Sequence, residues 1–120
     1  LKNNGQIDGS QLANINLNDL SGDEMMLKLC LTTPWCGPNI NNPKRRTENN
    51  ESMRTGVEID DRTGRVYLFP TIRWNEDGSY KRYEDAREAM QVAIDAGDAI
   101  PVKNIKQGNR ISKAISRLMI

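Results

Sequence analysis

Alternating apolar and polar residues in the middle of the chain predict β-strands. Val57 and Ile59 alternate with acidic residues, which is the pattern of a strand with one buried face. The segment that follows is dense in β-branched and aromatic residues, which favour strands. Turn sequences ending in glycine separate the segments. The pattern therefore predicts a three-stranded antiparallel meander with strands at about 57–60, 65–74 and 79–83.

A helical period begins directly after the third strand. Asp85 and Glu88 form a capping box of the Asp-x-x-Glu kind, and Gly97 is placed to end the helix. Apolar residues recur on one side at helical spacing. These are Ala86, Ala89, Met90, Ala93 and Ile94. We therefore expect a helix over 85–96, with its alanine-rich side packed on one face of the sheet.

Two further helices are predicted nearer the ends of the chain. Ser21 and Glu24 form a capping box for a helix over 22–31, and Pro34 prevents that helix from continuing. Apolar residues at helical spacing also predict a basic C-terminal helix over 109–119. Its apolar positions are Ile111, Ile115 and Leu118.

The remaining segments lack a regular period. Residues 1–20 are rich in Asn, Gly and Asp and predict a polar N-terminal arm. Residues 32–56 predict a long loop, and Trp35 and Cys36 at its start are expected to pack against the core. The chain is thus interpreted as a single α+β domain over 21–120 that follows the arm.

The composition limits the classes of partner. The chain has 120 residues, 37% of them hydrophobic, and a net charge of +1, with a mean hydropathy of -0.70. Balanced charge argues against extensive wrapping by nucleic acid but leaves room for local patches. No apolar run approaches the ~18 residues of a membrane span. We therefore expect no membrane association and a cytoplasmic location, or a virion-associated one if the protein is viral.

Candidate catalytic residues are few. The sequence has no histidine, which excludes Ser-His and Cys-His dyads and removes the commonest metal ligand. Glu58, Asp60 and Asp61 are an acidic cluster that could hold a divalent cation for phosphodiester cleavage. A solvated strand leading into a turn explains the same residues. We therefore expect a protein that binds without catalysis and needs no cofactor or metal.

The two cysteines admit two interpretations. Cys30 and Cys36 are too few for a disulfide framework, and five intervening residues is not a usual zinc-ligand spacing. They could form one short-loop disulfide. They could also remain as reduced, partly buried thiols in a cytosolic protein. The sequence favours this second interpretation.

A cationic sheet face is the first candidate binding surface. The side chains of a strand alternate between its two faces, which places Arg65 and Arg73 on the same side as Tyr67 and Phe69. If the helix over 85–96 covers the opposite side, this face is free, and Lys81 joins it from the third strand. Arginines interleaved with aromatic residues are typical of nucleic-acid contacts. The alternative is that the N-terminal arm, the first helix or the loop carrying Trp35 covers the two aromatic residues.

The C-terminal helix is the second candidate surface. From residue 98 to residue 120, five lysines and arginines accompany a single acidic residue. Arg110, Lys113 and Arg117 follow one another at i, i+3 and i+7 and share one helix face. Such a face attracts phosphates, anionic lipid or an acidic protein. An ordinary solvated helix has the same pattern.

The order of elements over about residues 57–97 resembles a known family. Three strands ending in the segment GSYKRYEDAREAMQVA are similar to the three-stranded-sheet-plus-helix DNA-binding domains of the AP2 and phage-integrase arm-binding type. The resemblance implies that the exposed sheet face enters the major groove through positions corresponding to Arg65, Arg73 and Lys81. The sequence departs from the family at Pro70, which interrupts the central strand, and in its acidic first strand.

Two functions from different classes follow from these observations. The first is nucleic-acid binding through the sheet face and the C-terminal helix, with phosphate contacts from Lys81, Lys113 and Arg117 and with Arg65 and Arg73 nearest the bases. The alternative is a protein–protein interaction or assembly module, such as a viral or phage structural or accessory protein, in which self-association into a homo-oligomer is compatible with the long loop and the arm.

Overall fold

The computed structural model of the protein describes residues 22–40 and 42–118. Within these residues the chain forms three α-helices, a short 3-10 helix at Gly37–Asn39, and five strands. The helices are α1 (Asp23–Leu31), α2 (Ala86–Ala96) and α3 (Ile105–Leu118); the strands are β1 (Thr55–Ile59), β2 (Val66–Pro70), β3 (Ile72–Trp74), β4 (Tyr80–Arg82) and β5 (Ile100–Val102). The α+β class and the three helices are confirmed. The predicted arm over 1–20 and Ser21 lie outside the described residues. The N-cap position of α1 is Gly22, one residue after the predicted cap, and no side chain in the described part of the chain caps it.

The predicted ends of α2 agree with the structure. The carboxylate of Asp85 accepts a hydrogen bond from the backbone N–H of Arg87 at 2.9 Å, so it satisfies one of the free donors of the first turn. Gly97 ends the helix in the left-handed region, with φ of 76°.

Helix α3 begins earlier than the predicted residue 109. The side chain of Asn104 accepts a hydrogen bond from the backbone N–H of Gln107 at 2.8 Å, and the side-chain oxygen of Gln107 accepts one from the N–H of Lys103 at 2.9 Å. The cap by Asn104 starts the helix at Ile105, and the Gln107 side chain ties its first turn to the residue before the cap. The basic helix is therefore one full turn longer than the sequence pattern indicated.

The strand pairing differs from the predicted meander. The main sheet has the order β1-β2-β5, with both pairs antiparallel, whereas β3 and β4 pair only with each other. The predicted strand over 65–74 divides at Thr71, which follows Pro70. The N–H of Thr71 donates to the carbonyl of Arg54, and its own carbonyl accepts from the N–H of Tyr83, both at 2.8 Å. Pro70, which has no N–H to donate, is the last residue of β2, and the chain enters the hairpin after Thr71.

Helices cover both faces of the main sheet. Phe69 points to one side, where it packs with Ala89 and Ala93 of α2. Leu68 points to the other side, where it packs in a cluster with Ile111 of α3 and with residues of α1. The condition on which a free sheet face depended, that the helix over 85–96 covers the side opposite Phe69, is therefore not met. The small alanines of α2 provide the space that the Phe69 ring needs.

The start of the long loop contributes to the larger of these two clusters. Trp35 is 5% exposed, and Cys36 is fully buried. The indole N–H of Trp35 donates to the carbonyl oxygen of Asp98 at 2.8 Å, so the loop is tied to the connection between α2 and β5. The expectation that these two residues pack against the core is confirmed.

Helix α3 approaches strand β1 closely at a glycine. A Cβ atom built on Gly108 would lie 2.6 Å from Cγ1 of Val57 and 3.3 Å from Cγ2 of Val102. One turn further along, the hydroxyl groups of Ser112 and Thr55 are hydrogen-bonded at 2.5 Å. The absence of a side chain at position 108 therefore fixes how near α3 lies to the sheet, and with it which side of α3 faces outward.

We expect Gly108→Leu to destabilise the protein, because the added side chain has no space between α3 and the sheet. Overpacking of this kind costs roughly 1–3 kcal/mol, and chemical denaturation measures it as a fall in the free energy of unfolding. Asn109→Leu is the matched control, since residue 109 is exposed on the same helix. Equal stability of the two variants would contradict the close approach.

Candidate nucleic-acid interface

The outward side of α3 carries a continuous row of cations. Lys106, Arg110, Lys113 and Arg117 follow one another at i, i+4, i+7 and i+11, which places them within about 60° of one another around the helix axis. We call these four residues the basic stripe. The buried residues Ile111 and Ile115 lie on the other side of the helix, and no acidic residue occurs between Ile105 and Leu118.

One member of the stripe is held by an ion pair. The guanidinium of Arg110 contacts the carboxylate of Asp23 through Nε at 2.5 Å and through Nη2 at 3.1 Å. Hydrogen bonding to Arg110 lowers the pKa of Asp23 from its ordinary value. The side-chain amide of Gln107 also donates to Asp23, at 3.4 Å. The first turn of α1 is thereby linked to α3 at the surface, through side chains that are about half exposed.

The other members of the stripe keep their charges toward solvent. Lys106, Lys113 and Arg117 are exposed, and none of them forms a salt bridge with an acidic residue in the described part of the chain. Arg117 also lies in the last turn of α3, where a cation is favourable against the negative end of the helix dipole. With respect to the acidic groups of the described residues, the stripe thus presents three uncompensated positive charges on α3.

A groove between α1 and α3 adjoins the stripe. Its volume is about 540 Å³, and its lining combines apolar side chains with the cations Arg110, Lys113 and Arg117. The apolar members are Leu27 of α1 and Ile111 and Ala114 of α3. On the α1 side the groove is also lined by the carboxylates of Asp23 and Glu24. The surface is therefore cationic along α3 and of mixed acidic and apolar character where it meets α1.

The predicted cationic sheet face is not a free surface in this fold. Arg65 is exposed and lies just before β2, but the side chain of Phe69 on the same face is fully buried under α2. Tyr67 is also packed against that cluster. The two aromatic residues are therefore covered, as the alternative interpretation held, but the cover is α2 and not the first helix or the loop carrying Trp35.

Arg73 has a structural partner. It lies on the β3–β4 hairpin, and its guanidinium donates to both carboxylate oxygens of Asp98, at 2.7 and 3.1 Å. The two side chains are only 23% and 16% exposed. This bidentate pair joins the hairpin to the connection between α2 and β5. The two guanidinium nitrogens that could have contacted a base are thereby hydrogen-bonded to Asp98.

Lys81 lies on the same hairpin and is exposed. Its ammonium nitrogen is 4.8 Å from the centroid of the Tyr83 ring, a cation–π geometry that leaves the charge accessible. Of the predicted site residues, the structure brings together Arg110, Lys113 and Arg117 on α3. It places Arg65 and Lys81 on other elements, and it gives Arg73 to an internal ion pair.

The acidic cluster considered for metal-dependent cleavage is bound to arginines. Asp60 accepts a hydrogen bond from Nε of Arg62 at 3.2 Å, which lowers the pKa of this carboxyl. Asp61 pairs with Arg87 at 2.5 Å. Among residues 22–40 and 42–118, no group of three or more acidic or cysteine side chains could hold a metal ion.

The comparisons with known proteins found no relative of this chain. No family model, curated protein or solved structure matches the chain. The resemblance to the AP2 and phage-integrase arm-binding domains therefore stays a prediction. In the described part of the chain, no helix combines the length and apolar character needed to cross a membrane.

Arg73→Ala is expected to destabilise the protein by roughly 1–3 kcal/mol, because it leaves the carboxylate of Asp98 partly buried without its charged hydrogen bonds. Arg65→Ala is the control that removes the same charge from an exposed position, and we expect it to change stability by less than about 0.5 kcal/mol. Thermal and urea unfolding measure both. An unchanged free energy of unfolding in Arg73→Ala would contradict the structural role of the pair.

The Asp23–Arg110 pair predicts a pH dependence. Because the pKa of Asp23 is lowered in the folded protein, the pair stabilises the fold above about pH 4, and this contribution is lost as the pH falls through the lowered pKa. Asp23→Asn should therefore show a smaller loss of stability between about pH 6 and about pH 3 than the unmodified protein. Parallel pH dependences of unfolding in the two proteins would rule out this role.

Proposed function

We propose that the protein is a non-enzymatic nucleic-acid-binding domain that contacts phosphates through the basic stripe of α3. The observation that carries this proposal is the alignment of four cations on one face of a helix that contains no acidic residue. Three of the four make no salt bridge within the described residues, so their charges remain available to an anionic partner.

The dimensions of the stripe suit a polyanion. Residues 106 to 117 cover about 16 Å along the helix axis, and a DNA duplex carries one negative charge for every ~1.7 Å of its own axis. Asn109 and Ser116 lie beside the stripe and are exposed. An exposed helix of this kind can enter the major groove, where cations contact phosphates and short polar side chains reach base edges.

Within this proposal the sheet-face residues have smaller roles than the sequence pattern assigned to them. Arg65 and Lys81 are accessible and can add peripheral phosphate contacts. Arg73 is excluded from direct contact because its guanidinium is committed to Asp98. We assign base contacts to α3 and not to β2.

A protein partner is a second candidate, and the groove between α1 and α3 is the observation that favours it. Part of the groove lining is apolar and is formed by Leu27, Ile111 and Ala114. A phosphate backbone makes no use of apolar contacts. In this case the same cations would pair with acidic residues of the partner or of a second copy of the chain. A mass that rises with concentration in light scattering would support self-assembly through this surface.

The leading proposal is tested by fluorescence anisotropy with a labelled DNA duplex and with single-stranded DNA and RNA of matched length. We expect binding that weakens steeply between about 50 and about 200 mM salt. Lys113→Ala/Arg117→Ala should weaken it by about tenfold or more and reduce the salt slope on duplex DNA by about 2, because two phosphate contacts are lost.

Arg65→Ala/Lys81→Ala is the matched control, since it removes the same net charge from exposed positions away from α3. We expect this variant to bind nearly as tightly as the unmodified protein. If it loses affinity while Lys113→Ala/Arg117→Ala does not, the interface lies on the sheet side and the stripe proposal is wrong. If no oligonucleotide binds at low salt, the nucleic-acid function itself is excluded.

A further inference from the structure

The two cysteines of the chain meet inside the core. Cys30 lies in the last full turn of α1, and Cys36 directly precedes the 3-10 helix. Their sulfur atoms are 3.2 Å apart, with the thiol of Cys30 donating to Cys36. Both are free thiols, and both residues are fully buried.

Local hydrogen bonds hold the intervening segment in a tight reversal. The hydroxyl and the N–H of Thr33 donate to the carbonyl of Cys30 at 2.7 and 3.0 Å, and the carbonyl of Thr33 accepts from the N–H of Cys36 at 3.2 Å. Thr33 is itself buried. The hydrogen-bonded backbone between the two cysteines therefore keeps their sulfur atoms close together.

We propose that Cys30 and Cys36 are a modification site, at which a small-molecule disulfide converts the two thiols into an intramolecular disulfide that the native fold accommodates. The bond requires the sulfurs to approach by about 1.2 Å. Both side chains are already directed at each other from adjoining turns. The proposal is independent of the basic stripe, since neither cysteine lies on α3.

The disulfide exchange needs no group of the protein other than the two cysteines. The thiolate of one cysteine attacks the small-molecule disulfide, forms a mixed disulfide and releases one thiolate leaving group. The thiolate of the second cysteine attacks the protein sulfur of that mixed disulfide and releases the second small thiol. The protein loses two protons and two electrons, and the oxidant is reduced to two thiols.

Burial determines when this exchange takes place. Burial raises the pKa of the Cys30 thiol, and hydrogen bonding to Cys36 adds to the effect. The reactive thiolate is therefore scarce in the folded protein, and neither sulfur is accessible to a reagent. The disulfide forms while the chain is open, during folding or a transient unfolding, and is then protected from reductants by the core.

The cross-link should stabilise the fold. It closes a ring of seven residues from Cys30 to Cys36, which restricts the unfolded chain. Loop-closure entropy predicts an unfolding equilibrium constant about 50-fold smaller than that of the reduced protein. For a domain of this size the midpoint of thermal unfolding should rise by about 5–10 °C.

The experiment compares the protein refolded with oxidised glutathione and the protein refolded with a reducing phosphine. We expect the oxidised sample to be monomeric, lighter by two hydrogen atoms in intact mass spectrometry, resistant to alkylation after denaturation, and more stable to heat. A phosphine should reduce it much faster in denaturant than in native buffer, because the core shields the sulfurs.

Cys30→Ala/Cys36→Ala is the control and should show the same thermal midpoint under both conditions. The thermal comparison of oxidised and reduced unmodified protein remains decisive even if that variant folds poorly. An oxidised protein that is less stable than the reduced one, or that is only a mixed disulfide or a cross-linked dimer, would overturn the proposal.

Discussion

The structure depends on the burial of both faces of a three-stranded sheet. Leu68 and Phe69 are consecutive residues of β2 that point to opposite faces, and both are fully buried. A layer of helix is therefore required on each side. Helix α2 supplies one layer, and α1 with α3 supplies the other. Once the apolar side of α3 is fixed against the sheet, its cations point outward, and the candidate binding surface lies on the helix and not on the sheet.

Much of the fold was predictable because local periods and caps determine it. The helix bounded by Asp85 and Gly97 follows from residues close together in the sequence, and the burial of Trp35 follows from its own apolar character. The side of the sheet that each helix covers could not be predicted, since alternation along a strand separates two faces but does not label them. Strand β5 was missed because three residues that include Pro101 resemble a connection. Only its pairing with β2 makes it a strand.

The candidate site was predicted in part for the same reason. Arg110, Lys113 and Arg117 share a face because helical spacing alone places them there. Lys106 was missed with the first turn of α3, although Asn104 and Gln107 carry the capping signal that would have extended the helix. The ion pair between Arg73 and Asp98 joins residues 25 positions apart. No local pattern indicates such a contact, so the sequence alone could not show that Arg73 has an internal partner.

The central claim is that the enclosed sheet leaves α3 as the surface that meets a polyanion. An amide NMR titration of the ¹⁵N-labelled protein with a short DNA duplex at low salt tests this claim most directly. The account predicts that the largest shift changes fall on residues 105–118 and on the first turn of α1, while the amides of β2 and of the β3–β4 hairpin stay nearly unchanged. Changes centred on β2 and the hairpin, with α3 unaffected, would contradict it.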